Sequence, residues 1–236
     1  MYEGKYRITY YDLDAAGRVK LSALLRMVHI AAEINATEIG IGFNELSVLN
    51  MSFVLQRFGL SVMRMPAYDE MVTIRTWPDS VARGTFLRKG DMHDAHGQKI
   101  MEWTSMWILL DLAARKILRP SALPVELPKF EDHGVTIAPL KITLPDTEWP
   151  KTNQYVHTVR YADIDTNNHM NNSIYGDLIT NALSQTPPWQ EVQINYLSET
   201  RLSDQIEVRT THSGNTYTVT GTTGERIAFA AQIHLK

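Results

Sequence analysis

Cysteine is absent from the 236 residues, which rules out disulfides, thiolate metal sites and a cysteine nucleophile. The absence is compatible with a reducing compartment without establishing one. No run approaches the ~20 apolar residues that a helix needs to cross a bilayer, so no membrane span is expected. The opening segment, Met1-Tyr2-Glu3-Gly4-Lys5-Tyr6-Arg7, lacks the apolar core of a signal peptide, and the expectation is a soluble, cytoplasmic chain. An excess of one charge is also missing. The 23 Lys and Arg residues mix with 26 Asp and Glu residues for a net charge of −3, leaving no basic footprint for nucleic acid. What is present is ordinary globular composition, 44% hydrophobic and 21% charged. A chain of this length holds one large domain or two of roughly 100–130 residues. Either buries a core without covalent staples.

The strongest organisational signal is an internal repeat. Tyr10-Tyr11-Asp12-Leu13-Asp14 returns as Tyr161-Ala162-Asp163-Ile164-Asp165, and each copy precedes an apolar-periodic segment. The first segment predicts a helix over residues 21–38, with Leu21, Leu24, Leu25, Val28, Ala31 and Ala32 on one face and Gly40 and Gly42 as a stop. The second predicts a shorter helix over 173–184, carrying Ile174, Tyr175, Leu178, Ile179 and Ala182 and ended by Pro187-Pro188. Period-two alternation predicts strands at 71–76 and 205–210, and further strands at 84–93, 99–111, 115–119, 190–197, 216–221 and 226–235. Asp94-Ala95-His96-Gly97 and Gly221-Thr222-Thr223-Gly224 read as hairpin turns. Each half is thus one helix followed by antiparallel strands, and a helix with a wide apolar face must be covered. The expected fold is α+β: two tandem hot-dog domains, each a central helix wrapped by a curved antiparallel sheet. The proline-bearing stretch 124–150 reads as an extended crossing. The expected division is 1–127 for the first domain, 128–150 for the linker and 151–236 for the second.

Polar residues concentrate in Asp163-Ile164-Asp165-Thr166-Asn167-Asn168-His169-Met170-Asn171-Asn172, immediately ahead of the second helix. Asp and Asn in such loops ordinarily cap helices and make turns. His169 adds nothing to capping, and a turn needs only one or two such residues. Hydrolytic acyl chemistry requires an activated oxygen and donors for the oxyanion that forms. Backbone N–H groups at a helix start, with a carboxylate or imidazole just before them, provide both.

The run from Asp165 to Asn172 resembles the Asp-x-Asn-x-His-Val-Asn-Asn signature of the acyl–acyl carrier protein thioesterases of plants and bacteria. Phe53-Val54-Leu55-Gln56-Arg57, the segment from Asp69 to Trp77, Ser105-Met106-Trp107-Ile108-Leu109 and Arg119-Pro120 resemble further family segments in the expected order. The resemblance implies hydrolysis of fatty acyl–acyl carrier protein and acyl carrier protein as partner, without cofactor or metal. Pairing into a homodimer stays open. It places Asp165, Asn167 and His169 on catalytic positions, and Asn195-Tyr196-Leu197-Ser198-Glu199-Thr200 places Glu199 on the catalytic Glu. Thr200 stands where plant members carry Cys, so a Cys-His-Asn mechanism does not apply. By the resemblance, Asp165 or Glu199 activates the water, with direct attack by Asp165 through an anhydride left open. Asn167 and the helix-start backbone hold the thioester oxygen, and His169 orients the carboxylates or protonates the leaving thiol. Acyl-CoA hydrolysis and a non-catalytic acyl-binding module are the competing readings.

The first repeat keeps Asp14 but has Ala16 and Arg18 where the second has Asn167 and His169; by resemblance this half forms the acyl pocket without catalysis, and Asp14 reads as a turn-maker ahead of the catalytic acid that an Asp followed by such a Gly is in some single-unit hot-dog thioesterases. Asp91-Met92-His93-Asp94-Ala95-His96 reads as a solvated hairpin rather than a metal site. Met27, Met51, Met63 and Met65 read as core ahead of acyl-tunnel lining. Arg57, Arg64, Arg83, Arg88 and Lys89 read as scattered surface bases ahead of a carrier-protein contact.

Overall fold

In the computed structural model, which describes residues 1–82, 84–131, 133–144, 154–183 and 188–236, both predicted helices lie against strands. Strand β1 (Tyr2–Arg7) leads to helix α1 (Leu21–Glu38), the short helix α2 (Phe43–Val48) and strands β2 (Met51–Val62), β3 (Met71–Ala82), β4 (Thr85–His93), β5 (Lys99–Asp111) and β6 (Lys116–Leu118). The second half repeats the plan as β7 (Gln154–Thr158), α3 (Ile174–Ala182), β8 (Trp189–Tyr196), β9 (Gln205–Ser213), β10 (Thr216–Thr223) and β11 (Arg226–Leu235).

Helix α1 buries Leu21, Leu24, Leu25, Val28 and Ala31, while Arg26, Ile30 and Glu33 face solvent. Its cover comes from alternate residues of β3, such as Val72 and Ile74, while Ile206 and Val208 of β9 serve α3 in the same core. The two halves share one antiparallel sheet, ordered β1-β3-β4-β5-β2-β8-β11-β10-β9-β7, with β6 on β5. Equating β1 with β7, β2 with β8 and so on makes that order a palindrome, as a two-fold relation between two hot-dog units requires. The seam pairs Arg57–Ser61 of β2 with Asn195–Glu191 of β8. Inside, α1 meets α3 at Gly176, where a methyl group would lie 2.6 Å from the Ser22 nitrogen; the Ser22 hydroxyl donates to Asp177 beside it.

Three strands escaped sequence reading. β2 lacks clean alternation because a bulge between Leu55 and Arg57 shifts its buried set from Leu55 to Phe58 and Leu60. β1 and β7 are short outer strands rich in polar residues. The expected turn at Gly221–Gly224 is displaced: Gly221, Thr222 and Thr223 belong to β10, with a bulge after Gly221, and the chain reverses at Gly224-Glu225. α3 is described to Ala182; Ser184 and Pro187 lie outside the described residues.

The crossing segment is pinned rather than loose. Glu102 of β5 accepts hydrogen bonds from the Thr136 and Ile137 backbone at 2.9 and 3.1 Å. Gln193 and Asn195 of β8 then exchange bonds with the backbone of Ala138, Leu140 and Ile142 at 2.8–3.0 Å. Buried amide and carboxylate side chains thereby find partners that an open sheet face would deny them. Pro145 and Pro150 lie outside the described residues. No helix among the described residues is long and apolar enough to cross a membrane.

Candidate active site

The loop from Asp165 to Met170 is a closed turn. The Asp165 N–H donates to the His169 carbonyl at 2.9 Å, the Asn168 N–H to the Asp165 carbonyl at 3.0 Å, and Ile164 bridges to Met170. Asn168 takes the left-handed conformation that closure needs, with φ 60°, which Asn accepts more readily than most residues. Asn171 Oδ1 then accepts from the Ser173 N–H and hydroxyl at 2.9 and 2.7 Å, starting the turn into α3. A further bond, Met170 N–H to the Thr200 carbonyl at 2.9 Å, ties this loop to the segment after β8.

That tie brings two of the expected residues together. His169 Nε2 lies 3.0 Å from Glu199 Oε2. Asp165 and Asn167 line the same cleft, and Asp165 Oδ1 accepts the Asn167 backbone N–H at 2.8 Å. Among the described residues neither side chain bonds directly to His169 or Glu199. The cleft encloses about 790 Å³. Its opposite wall is the first part of β2, including Phe53 and Leu55, whose edge is uncovered because β8 pairs only from Arg57 onward. One wall is apolar and the other carries the polar loop, an arrangement that suits a ligand with an apolar body and a polar head.

Two further residues act on Glu199 without having been expected. Arg115 Nη2 lies 2.7 Å from both carboxylate oxygens, and Arg201 Nη2 lies 3.4 Å from Oε2. Burial alone would raise the Glu199 pKa; the Arg115 hydrogen bond, the His169 and Arg115 charges and Arg201 outweigh it and hold the carboxyl below its ordinary value. Arg201 sits two residues from Glu199, but Arg115 comes from the other half and had no local signal.

Two family descriptions match the chain in order: the acyl-ACP thioesterase N-terminal domain over residues 1–122 and its C-terminal domain over residues 147–234. The chain belongs to the acyl-ACP thioesterase family. Curated relatives include a chloroplastic acyl-[acyl-carrier-protein] hydrolase of Cuphea viscosissima, 24% identical over 203 residues that make up 80% of this chain and 48% of the relative. A chloroplastic palmitoyl-acyl carrier protein thioesterase of Arabidopsis thaliana is 23% identical over 189 residues, 73% of this chain and 44% of the relative. The chain thus spans about half the length of the curated relatives it matches. An acyl-ACP thioesterase structure from Bacteroides thetaiotaomicron superimposes with TM-score 0.87 at 22% identity, covering 99% of this chain and 97% of that one, which establishes the shared fold.

Within this acyl-ACP thioesterase fold the first repeat can be compared position by position. Asp14 Oδ1 accepts the Ala16 and Arg18 N–H groups at 2.8 and 2.9 Å, much as Asp165 serves its own loop. Ala67 and Glu70 form the same backbone-to-carboxylate bond as Arg201 and Asp204. Met65 therefore stands where Glu199 does, and the first repeat offers Ala16, Arg18 and Met65 in place of amide, imidazole and acid.

Other expectations divide. Asp91 is not solvated: it is fully buried and held by Arg75 at 2.7 and 2.6 Å, since a buried carboxylate needs a counter-charge. Arg88 is likewise no surface base. It is buried against Asn35 and Thr76 at 2.9 and 3.3 Å, and burial pushes it down to about 10. Arg64 pairs with Glu70 and Lys89 with Asp79; Arg83 lies outside the described residues. Of the four methionines, only Met51 lines the cleft beside the Asp165–Met170 loop.

Thr200 is fully buried, and its hydroxyl lies 3.0 Å from the Tyr175 hydroxyl. Thr200→Ala removes one buried hydrogen bond, expected to cost about 1 kcal/mol of stability, while kcat stays within a few-fold of wild type. Steady-state assay and thermal unfolding check both; a Thr200→Ala enzyme as inactive as a His169 variant would mean that Thr200 itself takes part in chemistry.

Proposed function

We propose that the chain hydrolyses the thioester of a fatty acyl–acyl carrier protein, releasing free fatty acid and carrier protein. The observation that carries this reading is the 3.0 Å Glu199–His169 pair in a cleft that also holds Asp165 and Asn167. The names of the matched relatives support the carrier.

In this reading Asp165 takes a proton from water as its oxygen attacks the thioester carbonyl. Glu199 is already occupied by Arg115 and His169, so its role is to orient His169 rather than to receive the proton. Asn167, exposed at the cleft, holds the developing oxyanion together with backbone N–H groups ahead of α3. Collapse of the tetrahedral intermediate breaks the carbon–sulfur bond, and the departing thiolate takes up the proton that Asp165 drew from water, passed on through His169, so that both side chains return to their starting state. We read residues 1–127 as the acyl-pocket half and 151–236 as the catalytic half, joined by 128–150; the two family matches, ending at 122 and starting at 147, support that division.

A panel of acyl–carrier proteins of graded chain length, assayed beside the matching acyl-CoA compounds, tests the substrate. Higher kcat/KM is expected with the carrier protein. A clear advantage for acyl-CoA would reassign the substrate, and no turnover of either would leave an acyl-binding module.

A further inference from the structure

We infer that Arg115 is a positioning residue for the Glu199–His169 pair, delivered to the catalytic loop by the opposite half of the chain. The inference rests on the role proposed above for that pair. Arg115 lies in the turn between β5 and β6, where Asp111 Oδ1 accepts the Ala114 N–H at 2.8 Å and Asp111 faces Lys116 in the sheet. Its own backbone is left-handed, with φ 51°, a conformation that disfavours a side chain by ~1–2 kcal/mol. The turn holds this conformation at the residue whose side chain reaches Glu199.

The geometry sets what Arg115 does. One guanidinium nitrogen sits 2.7 Å from both Glu199 oxygens, so a single donor holds the two oxygens evenly and biases the carboxylate toward one orientation. His169 Nε2 lies 3.0 Å from the Oε2 that Arg115 holds. Without Arg115, Glu199 would keep only the longer Arg201 contact beside His169, and the ring would be held less firmly.

A purely structural role makes a different forecast. Arg115 is 55% exposed and Glu199 30%, and exposed ion pairs of this kind add ~0–1 kcal/mol to stability. Loss of the pair alone would scarcely move the melting temperature, so kinetics separates the two roles. The charged groups against Glu199 among the described residues are His169 from the catalytic loop, Arg115 from the opposite half and Arg201 from its own segment.

The test compares Arg115→Gln, Arg115→Lys, Arg201→Gln and Glu199→Gln, measuring kcat, KM and the pH profile of kcat/KM with an acyl–carrier protein. Arg115→Gln is expected to lower kcat about tenfold with little change in KM. It should also move the acidic limb upward by about one pH unit, because the carboxyl then protonates more readily. Arg115→Lys should restore most of the limb but not the rate, since an ammonium keeps the charge without reproducing the reach and shape of the guanidinium. Arg201→Gln should shift the limb less. A wild-type rate and limb in Arg115→Gln would overturn the inference. Should that variant not fold, Arg115→Lys carries the test, and a fully wild-type rate there overturns it equally. An unimpaired Glu199→Gln would instead remove the role proposed for the pair, whereas an impaired Glu199→Gln beside an unimpaired Arg115→Gln removes only Arg115.

Discussion

His169→Ala, Asp165→Asn and Glu199→Gln are each expected to lower kcat about 100-fold or more while the fold persists. A loss of that size is a barrier increase of about 2.7 kcal/mol, within the usual contribution of a positioned acid or base. The three side chains occupy the loop and the segment bordering the cleft rather than the core: Asp165, His169 and Glu199 are all partly exposed. Their removal should therefore leave the melting temperature nearly unchanged, which separates lost chemistry from lost structure. The three should also fail to add. Once His169 is gone, Glu199 has nothing to orient, so the His169→Ala/Glu199→Gln double variant should be about as slow as the worse single variant. Near-normal kcat in all three single variants would remove the site assignment.

The second large effect is structural. Gly176 lies within α3, where alanine ordinarily improves a helix by ~1 kcal/mol over glycine. Here the added methyl would sit 2.6 and 2.9 Å from the backbone nitrogen and Cα of Ser22, and 3.0 Å from the Leu21 carbonyl carbon. Backbone of a neighbouring helix cannot turn aside as a flexible side chain would. Overpacking of this kind costs ~1–3 kcal/mol, and contact with three backbone atoms argues for the upper part of that range. Gly176→Ala is expected to be destabilised by about 2 kcal/mol, a fall of roughly 4–8 °C in melting temperature for a chain of this size. Because α3 follows directly on the loop carrying His169, kcat should fall as well. A stabilised Gly176→Ala protein would mean that the α1–α3 contact yields and that helix propensity dominates.

Much of this architecture can be read from residue order. The spacing of Leu21, Leu24, Leu25 and Val28 matches α1 to its ends, and the alternation through Val72 and Ile74 or Ile206 and Val208 marks β3 and β9. Such signals are local, because periodicity records which face of one element is buried. The palindromic sheet is not local: nothing in Arg57–Ser61 announces pairing with Glu191–Asn195. Nor does Glu102, Gln193 or Asn195 reveal that its partners are crossing-segment backbone. In the cleft, Asp165, Asn167 and His169 stand out by density within one loop, and Glu199 by resemblance. Arg115, 84 residues from Glu199, has no such signature; only the folded sheet brings the β5–β6 turn to the segment after β8.

That separation along the chain matters for assembly. The guanidinium and the carboxylate it grips come from different halves, and in a pair of independent subunits their meeting would depend on protein concentration. Carried on one polypeptide, they encounter each other at an effective concentration governed by tether length, typically millimolar for a short connection. The crossing segment, pinned to β5 and β8, shortens that tether further, so dilution alone does not pull this clamp apart.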